Sequence, residues 1–206
     1  MKLGIYGGTF APVHNAHVRA AEAFISECRL DKLLIIPAGI PPHKAVAADD
    51  DPNKRLEMCR LAFSHIRRAE VSDMELRRSG RSYTVLTVRE LENEDTELYL
   101  LCGTDMILTF DQWFCFREIM EKCTLVYIRR ENDAGTGVML DEKIDEYRNK
   151  YGARIIKLDL PALEMSSTMV RDIIKNGGDA SSLVPESVMQ YIDQCKMYRK
   201  ENETDE

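Results

Sequence analysis

Short apolar runs alternate with helical segments along almost the whole chain, and this alternation restricts the fold more than any other feature. Runs such as KLLIIP and ELYLLC are almost continuously apolar, as strands are when a sheet is covered on both faces. The alternation predicts an α/β protein with a doubly wound, mostly parallel sheet, because right-handed crossovers place helices on both faces. The predicted strands are residues 2–6, 32–37, 69–76, 97–102, 124–129 and 153–158.

Helical patterns fill the intervals between these runs, and Asn15 is the predicted N-cap of the first helix. The predicted helices are residues 16–29, 53–65, 83–94, 105–120 (one or two short helices) and 141–151, followed by a C-terminal helical segment at 168–176 and 186–196. The length of 206 residues suits one domain, which we expect at residues 1–200. Residues 201–206 hold four acids and no base, and we expect a disordered acidic tail there.

The composition argues against several classes of protein. The chain has 28 Lys+Arg against 35 Asp+Glu, a formal net charge of −7, and it has no basic block, so we expect no nucleic-acid binding. No apolar run is long enough for a membrane span, and the apolar N-terminus stops too early for a signal peptide. The six cysteines lack metal-ligand spacing and suit buried thiols in a reducing cytoplasm. The sequence leaves the oligomeric state open, a homodimer included.

The loop GGTFAPVHNAH joins the first strand to the first helix, at the edge where doubly wound sheets bind their ligands. Gly7 and Gly8 let the backbone turn sharply close to a ligand, and the helix N-terminus behind them attracts anions. His14 and His17 are three residues apart, so they can share one face and donate to phosphate oxygens. Ordinary capping is the alternative, and metal ligation is a weaker one. The loop matches neither the Walker A nor the G-x-G-x-x-G motif.

Two further segments suit phosphate groups. PAGIPPHK follows the second strand, and its prolines make a stiff loop that presents Lys44. SSTMVRD opens a helix with the hydroxyls of Ser167 and Thr168 and the cation of Arg171. A solvent loop and a routine N-cap with a surface arginine are the alternative interpretations.

The segment LLCGTDMILTFDQWF follows the fourth strand. Asp105 opens a helix there, where a carboxylate can accept hydrogen bonds from sugar hydroxyls. Trp113 is the only tryptophan of the chain and can stack on a heteroaromatic ring. A lone tryptophan in the core is the alternative.

Taken in order, these motifs resemble the nucleotidylyltransferase superfamily. GGTFAPVHNAH is similar to its signature GG-[ST]-F-[DN]-P-x-H-x-G-H, and SSTMVR is similar to its second marker. PPHK, RSGRSYT, and GTD with its following tryptophan resemble the nicotinate-nucleotide branch, and the resemblance runs from residue 3 to about residue 192. It implies a Rossmann-like nucleotidyltransferase fold and an adenylyltransferase that transfers AMP from ATP to nicotinate mononucleotide. The products would be pyrophosphate and nicotinate adenine dinucleotide, a precursor of NAD. Mg²⁺ would accompany the ATP, with no metal ligand in the protein and no protein nucleophile.

The resemblance also implies a role for each candidate residue. His14, His17 and Arg171 would be catalytic, because they would hold the ATP phosphates and stabilise the developing charge. ATP would also be bound by Gly8, Thr9, Phe10, Asp105, Ser167 and Thr168. The mononucleotide would be bound by Lys44, Thr84, Trp113 and Arg130.

Three positions depart from the family pattern. Ala11 stands where Asp or Asn is usual, Ala16 replaces the glycine of H-x-G-H, and Leu86 stands where Asp is common. Arg130 is a looser match, because Glu131 follows it where a proline is expected. Two alternatives therefore stay open. One is a sister adenylyltransferase acting on nicotinamide mononucleotide or phosphopantetheine, and the other is a non-catalytic nucleotide-binding relative.

Overall fold

The computed structural model describes residues 1–42, 51–128, 134–161 and 165–199. Its strands are β1 (Lys2–Gly8), β2 (Lys32–Pro37), β3 (Ala69–Val71), β4 (Glu97–Gly103), β5 (Cys123–Ile128) and β6 (Ile155–Lys157). Within the described ranges they form one sheet in the order β3-β2-β1-β4-β5-β6, and every neighbouring pair is parallel. The chain thus adds strands outward on one side of β1 and then on the other side, which confirms the doubly wound fold. The strand order reverses between β1 and β4, and this switch point is where such sheets open a crevice for ligands.

Helices connect the strands and cover the sheet. They are α1 (Asn15–Glu27), α2 (Pro52–Phe63), α3 (Met74–Arg77), α4 (Thr84–Leu91), α5 (Thr104–Leu108), α6 (Phe116–Lys122), α7 (Ala134–Tyr151), α8 (Ser167–Lys175) and α9 (Glu186–Gln194). A 3₁₀ turn, Phe110–Gln112, lies between α5 and α6. The predicted region of one or two short helices around Trp113 is therefore two α-helices and a 3₁₀ turn.

Side chains alternate between the two faces of the sheet, and both faces are buried. On β2, Leu33 and Ile35 belong to one apolar cluster, whereas Leu34 and Ile36 belong to the cluster on the opposite face. This two-sided burial explains why the strands are almost continuously apolar in sequence. The first cluster also contains residues from both ends of the chain, such as Phe24 of α1 and Val188 of α9.

Three local predictions are wrong. The helix predicted at residues 141–151 begins earlier, because α7 is Ala134–Tyr151. The predicted strand 69–76 ends at Val71, because the Ser72 hydroxyl accepts the Met74 N–H at 3.3 Å and the chain turns into α3. Asn15 is the first residue of α1 and not its N-cap, which is His14. The Asn15 side chain instead donates from Nδ2 to the Ser182 carbonyl at 3.1 Å, so it holds the C-terminal segment against the start of α1.

The prediction of one domain over residues 1–200 stays a prediction. The acidic tail, residues 201–206, lies outside the described residues.

Candidate functional site

The loop between β1 and α1 turns sharply around a buried aromatic ring. Phe10 has a positive φ of 52°, and its side chain is buried among Tyr6, Phe63 and His17. A Cβ atom on Gly8 would lie 3.0 Å from the Phe10 ring, so glycine leaves the space in which this ring packs. The buried ring thus holds the loop against the core. Because the side chain is buried, Phe10 can contact a ligand only through its backbone.

His14 and His17 form a stacked pair at the start of α1. Both are buried, and their ring centroids are 3.7 Å apart. The His14 N–H donates to Nδ1 of His17 at 3.1 Å, so Nδ1 carries a lone pair and the proton of the neutral His17 ring is on Nε2. The structure therefore brings the two predicted histidines together, and it shows that His17 also caps the helix.

The N-terminus of α8 packs directly against this loop. The Ser167 hydroxyl donates to the Pro12 carbonyl at 2.8 Å, and Nη1 of Arg171 donates to the Ala11 carbonyl at 2.6 Å. Nη2 of Arg171 donates to the Thr168 hydroxyl at 3.1 Å. The two segments that the sequence singled out for phosphates, more than 150 residues apart, thus meet at one edge of the sheet. Ser166 is the N-cap of α8, because its hydroxyl accepts the Met169 N–H at 3.1 Å.

Arg55 on α2 joins the first loop to the loop that follows β2. Its side chain is completely buried. Nη1 donates to the carbonyls of Thr9 at 2.9 Å and Ala38 at 2.7 Å, and Nη2 donates to the carbonyl of Gly39 at 3.2 Å. Sequence reasoning missed this residue. One sequence signal could have indicated it. Arg55 lies one turn before Cys59 on the apolar face of α2, and a charged side chain on such a face needs dedicated hydrogen-bond partners.

The segment RSGRSYT packs on the other side of the β2 loop. The Ser82 hydroxyl accepts the Gly39 N–H at 2.9 Å, and the Ser82 N–H donates to the Ile40 carbonyl at 2.8 Å. A Cβ atom on Gly39 would lie 2.6 Å from the Glu75 carbonyl oxygen, so only glycine allows this close approach. The segment and the β2 loop therefore form one packed unit.

Glu75 is a buried carboxyl group beneath this unit. The Thr87 hydroxyl donates to its Oε1 at 2.7 Å. Burial raises the pKa of Glu75, and hydrogen bonds from Thr87 and Ser82 partly oppose that shift. Sequence reasoning also missed Glu75. The helix α3 is too short to show a periodic pattern, so the sequence does not tell whether this carboxyl group is exposed or buried.

An aromatic contact joins the segments that contain Thr84 and Trp113. Thr84 begins α4 and is half-buried, and the ring of the preceding Tyr83 lies 5.0 Å from that of Phe114. Trp113 is half-buried and stacks on Phe110 with ring centroids 4.8 Å apart. Trp113 thus has one face on the core, and its stacking on a ligand ring stays a prediction.

The remaining predicted residues are placed as follows. Asp105 is exposed in the first turn of α5, directly after β4 and beside the switch point. Gly8 and Thr9 are half-buried at the end of β1. Lys44 and Arg130 lie outside the described residues.

The three departures from the family pattern fit this architecture. Ala11 contributes its carbonyl to Arg171, a contact that needs no side chain. Ala16 is half-buried in the first turn of α1. Leu86 packs against the apolar cluster on the α4 side of the sheet, so an apolar side chain suits its environment.

The described part of the chain also contains side chains of metal-ligating types and buried thiols. No three His, Cys, Asp or Glu side chains come together there to hold a metal ion. Burial raises the pKa of the Cys59 and Cys102 thiols, and it raises the pKa of Cys123 to about 12, so none of these is a reactive thiolate. Among the described helices, none is both long and apolar enough to cross a membrane.

A parallel doubly wound sheet with two helix N-termini and two histidines at one edge defines an α/β protein of the nucleotide-binding type. Residues 5–173 match the cytidylyltransferase-like family. The chain is 37% identical over 206 residues to a probable nicotinate-nucleotide adenylyltransferase of a Thermoanaerobacter species, covering 98% of this chain and 97% of that protein. A protein of the same description from a Synechococcus species is 39% identical over 199 residues, covering 96% of this chain and 94% of that protein. The chain therefore belongs to the cytidylyltransferase-like family and, within it, to the nicotinate-nucleotide adenylyltransferases.

A solved structure has the same fold. The nicotinic acid mononucleotide adenylyltransferase of Plasmodium falciparum, complexed with NaAD, superposes with a TM-score of 0.72 at 15% sequence identity. The match covers 96% of this chain and 97% of that one. At this identity the likeness concerns the fold alone.

Proposed function

We propose that this protein is an enzyme that transfers AMP from ATP to nicotinate mononucleotide. The observation that carries the proposal is the contact of the α8 N-terminus with the first loop. Because Ser167 and Arg171 bond to Pro12 and Ala11, the hydroxyls and cation of α8 lie beside the histidines of α1. Two helix N-termini and these donors suit a polyphosphate ligand.

In the proposed reaction, a phosphate oxygen of the mononucleotide attacks the α-phosphorus of ATP in line. The new P–O bond forms as the bond between the α-phosphorus and the bridging oxygen breaks, and pyrophosphate leaves with that electron pair. Positioning and charge neutralisation are the main contributions that such a transfer needs from a protein. No covalent intermediate is required.

Each predicted site residue receives a role. His17 would donate from Nε2, and His14 and Arg171 would add donors as charge develops on the phosphates. Asp105 would accept from the ribose hydroxyls. The other ATP contacts would come from the backbone of Gly8, Thr9 and Phe10 and from the hydroxyls of Ser167 and Thr168. The mononucleotide phosphate would meet Lys44 and Arg130, and its ring would lie between Thr84 and Trp113.

Mg²⁺ would enter with ATP, supplying charge neutralisation to the phosphates. The donors of α1 and α8 are imidazoles, hydroxyls and a guanidinium, and all of them can donate to phosphate oxygens. Magnesium is commonly held by substrate phosphates, waters and one or two carboxylates, so a dedicated protein cage is not needed.

We also propose that residues 1–200 act as one domain in the cytoplasm. One apolar cluster combines Phe24 near the start of the chain with Val188 near its end, which supports a single folding unit. All six cysteines are free, which suits a reducing compartment.

The test is pyrophosphate release from ATP and Mg²⁺ with three acceptors in parallel: nicotinate mononucleotide, nicotinamide mononucleotide and phosphopantetheine. We expect the highest kcat/KM with the first. Preference for another acceptor would overturn the assignment of the substrate and keep the chemistry. ATP binding without pyrophosphate release from any acceptor would identify a non-catalytic nucleotide-binding protein.

A further inference from the structure

Arg55 links the two loops that face the crevice, and it does so from inside the protein. The side chain is wholly buried, and it reaches Thr9 of the β1 loop, 46 residues away in sequence, as well as Ala38 and Gly39 of the β2 loop. A second bond joins the same loops, from the Ala38 N–H to the Gly8 carbonyl at 2.8 Å. A guanidinium can make these three contacts together because its donors form a rigid planar fork.

The carbonyls that Arg55 binds determine where the next amide groups point. In a trans peptide unit the C=O of one residue and the N–H of the next point in opposite directions. With the Thr9 carbonyl directed at Arg55, the Phe10 N–H faces away from it, and the Gly39 carbonyl has the same effect on the Ile40 N–H. Among the described residues, neither of these two N–H groups has a hydrogen-bond acceptor. The Gly39 N–H, oriented by the Ala38 carbonyl, donates to Ser82.

We propose that Arg55 is a positioning residue of the adenylyl-transfer site: it aims the Phe10 and Ile40 N–H groups at the substrates by holding both loops in one orientation. This rests on the proposed function. Phe10 lies where the resemblance puts the junction of the two substrates, and Ile40 precedes the loop that ends on Lys44. Arg55 touches no reacting atom and acts only through these two backbone segments.

Arg55→Lys keeps the charge and the apolar stem but offers one ammonium that cannot reach carbonyls on two loops at once. Arg55→Gln is a second variant with no charge to bury. Arg68→Lys is the matched control, because Nη1 of Arg68 also donates to a backbone carbonyl, that of Leu30 at 3.0 Å, but at the opposite edge of the sheet.

The first readout is hydrogen exchange in the protein without substrates, which does not depend on the identity of the acceptor. Prolines at 37, 41 and 42 carry no N–H, so a peptide covering residues 36–42 reports mainly on Ala38, Gly39 and Ile40. In Arg55→Lys we expect exchange there to be faster by about tenfold or more, with β4 unchanged. Unchanged exchange in the loop peptide of a folded variant would overturn the proposal.

The second readout is steady-state kinetics, normalised to the fraction of active sites in a single turnover. We expect kcat/KM of Arg55→Lys to fall on the order of 10²-fold, as for misplaced reacting groups, and that of Arg68→Lys to stay near the wild-type value. A residue that only stabilises the fold would lower the active fraction and leave kcat and KM of the remaining enzyme unchanged. That pattern, or loss of folding in both Arg55 variants, would contradict positioning.

Failure of the proposed function and failure of the positioning role of Arg55 give different results. Wild-type protein that prefers a different acceptor refutes the proposed function, and the Arg55 variants are then compared with that acceptor. Wild-type protein without turnover leaves hydrogen exchange as the deciding result. Normal wild-type turnover with unaltered Arg55 variants refutes the positioning role alone.

Discussion

Substituting His17 by asparagine and by alanine separates the two functions of its ring. Nδ1 accepts the His14 N–H at 3.1 Å and caps α1, whereas Nε2 carries the proton that we assign to the phosphates. The amide oxygen of asparagine can replace Nδ1 as the acceptor, but the side chain is too short to replace Nε2. Alanine replaces neither nitrogen. Both variants lose the ring contacts with Phe10 and His14, so their difference in stability isolates the cap.

Each function has an expected magnitude. Loss of one donor to a transition state costs about 10²–10³ in kcat, so both variants should lose at least about 10²-fold. Loss of a helix cap costs about 1 kcal/mol, so His17→Ala should be less stable than His17→Asn by that amount. In a chain of this size the difference corresponds to about 2–4 °C in Tm.

The assay combines pyrophosphate release at saturating substrates with thermal unfolding followed by circular dichroism. We expect both variants to be slow enzymes and His17→Asn to be the more stable protein of the two. If His17→Asn kept kcat within about fivefold of the wild type, the phosphate role of Nε2 would be refuted. Equal stability of the two variants would refute the capping role of Nδ1.

Three further predictions concern other parts of the site. Trp113→Ala should raise the KM for the mononucleotide about tenfold and leave that for ATP nearly unchanged, because we assign its free face to the ring; equal increases would mean that its stacking on Phe110 is its whole function. Ser167→Ala should raise the KM for ATP, whereas Ser166→Ala, which removes only the cap, should lower Tm alone; identical effects of the two would contradict the roles. Because burial raises the pKa of Glu75, the folded protein binds the proton of this carboxyl group more tightly than the unfolded chain does. The stabilisation of the fold by that bound proton is lost as the pH rises. Urea unfolding should therefore show the wild type losing stability relative to Glu75→Gln as the pH rises above about 4, by at most about 1.4 kcal/mol per pH unit, and parallel curves would refute it.

The sheet could be predicted from the sequence because its strands are buried on both faces. Alternate residues of β2 enter opposite clusters, so no polar position interrupts the run that the sequence shows. The end of β3 could not be predicted, since the chain leaves the sheet where the Ser72 hydroxyl accepts the Met74 N–H, and such a bond has no periodicity in the sequence. The start of α1 could not be predicted either. An asparagine can cap a helix or bond to a distant segment, as Asn15 does to Ser182, and the local sequence does not distinguish the two.

The sequence predicted the motifs of the candidate site, but it did not predict the buried residues that hold the loops of the site in place. His14, His17 and Arg171 lie in local patterns that indicate anion binding, and the structure brings them to one edge. Arg55 and Glu75 are buried by contacts between distant segments, so their sequence neighbourhood contains little trace of their environment. Residues that hold a binding loop from below are therefore harder to find in a sequence than residues that could touch the ligand.

In the proposed reaction, the bond between the α-phosphorus and the bridging oxygen of ATP is the one that breaks. ATP labelled with ³²P at the α-phosphorus, incubated with the protein, Mg²⁺ and nicotinate mononucleotide, tests this directly. We expect the label to enter a dinucleotide in equal amount to unlabelled pyrophosphate. Label recovered as ADP, or as free AMP without any dinucleotide, would contradict adenylyl transfer and the assignment of this site.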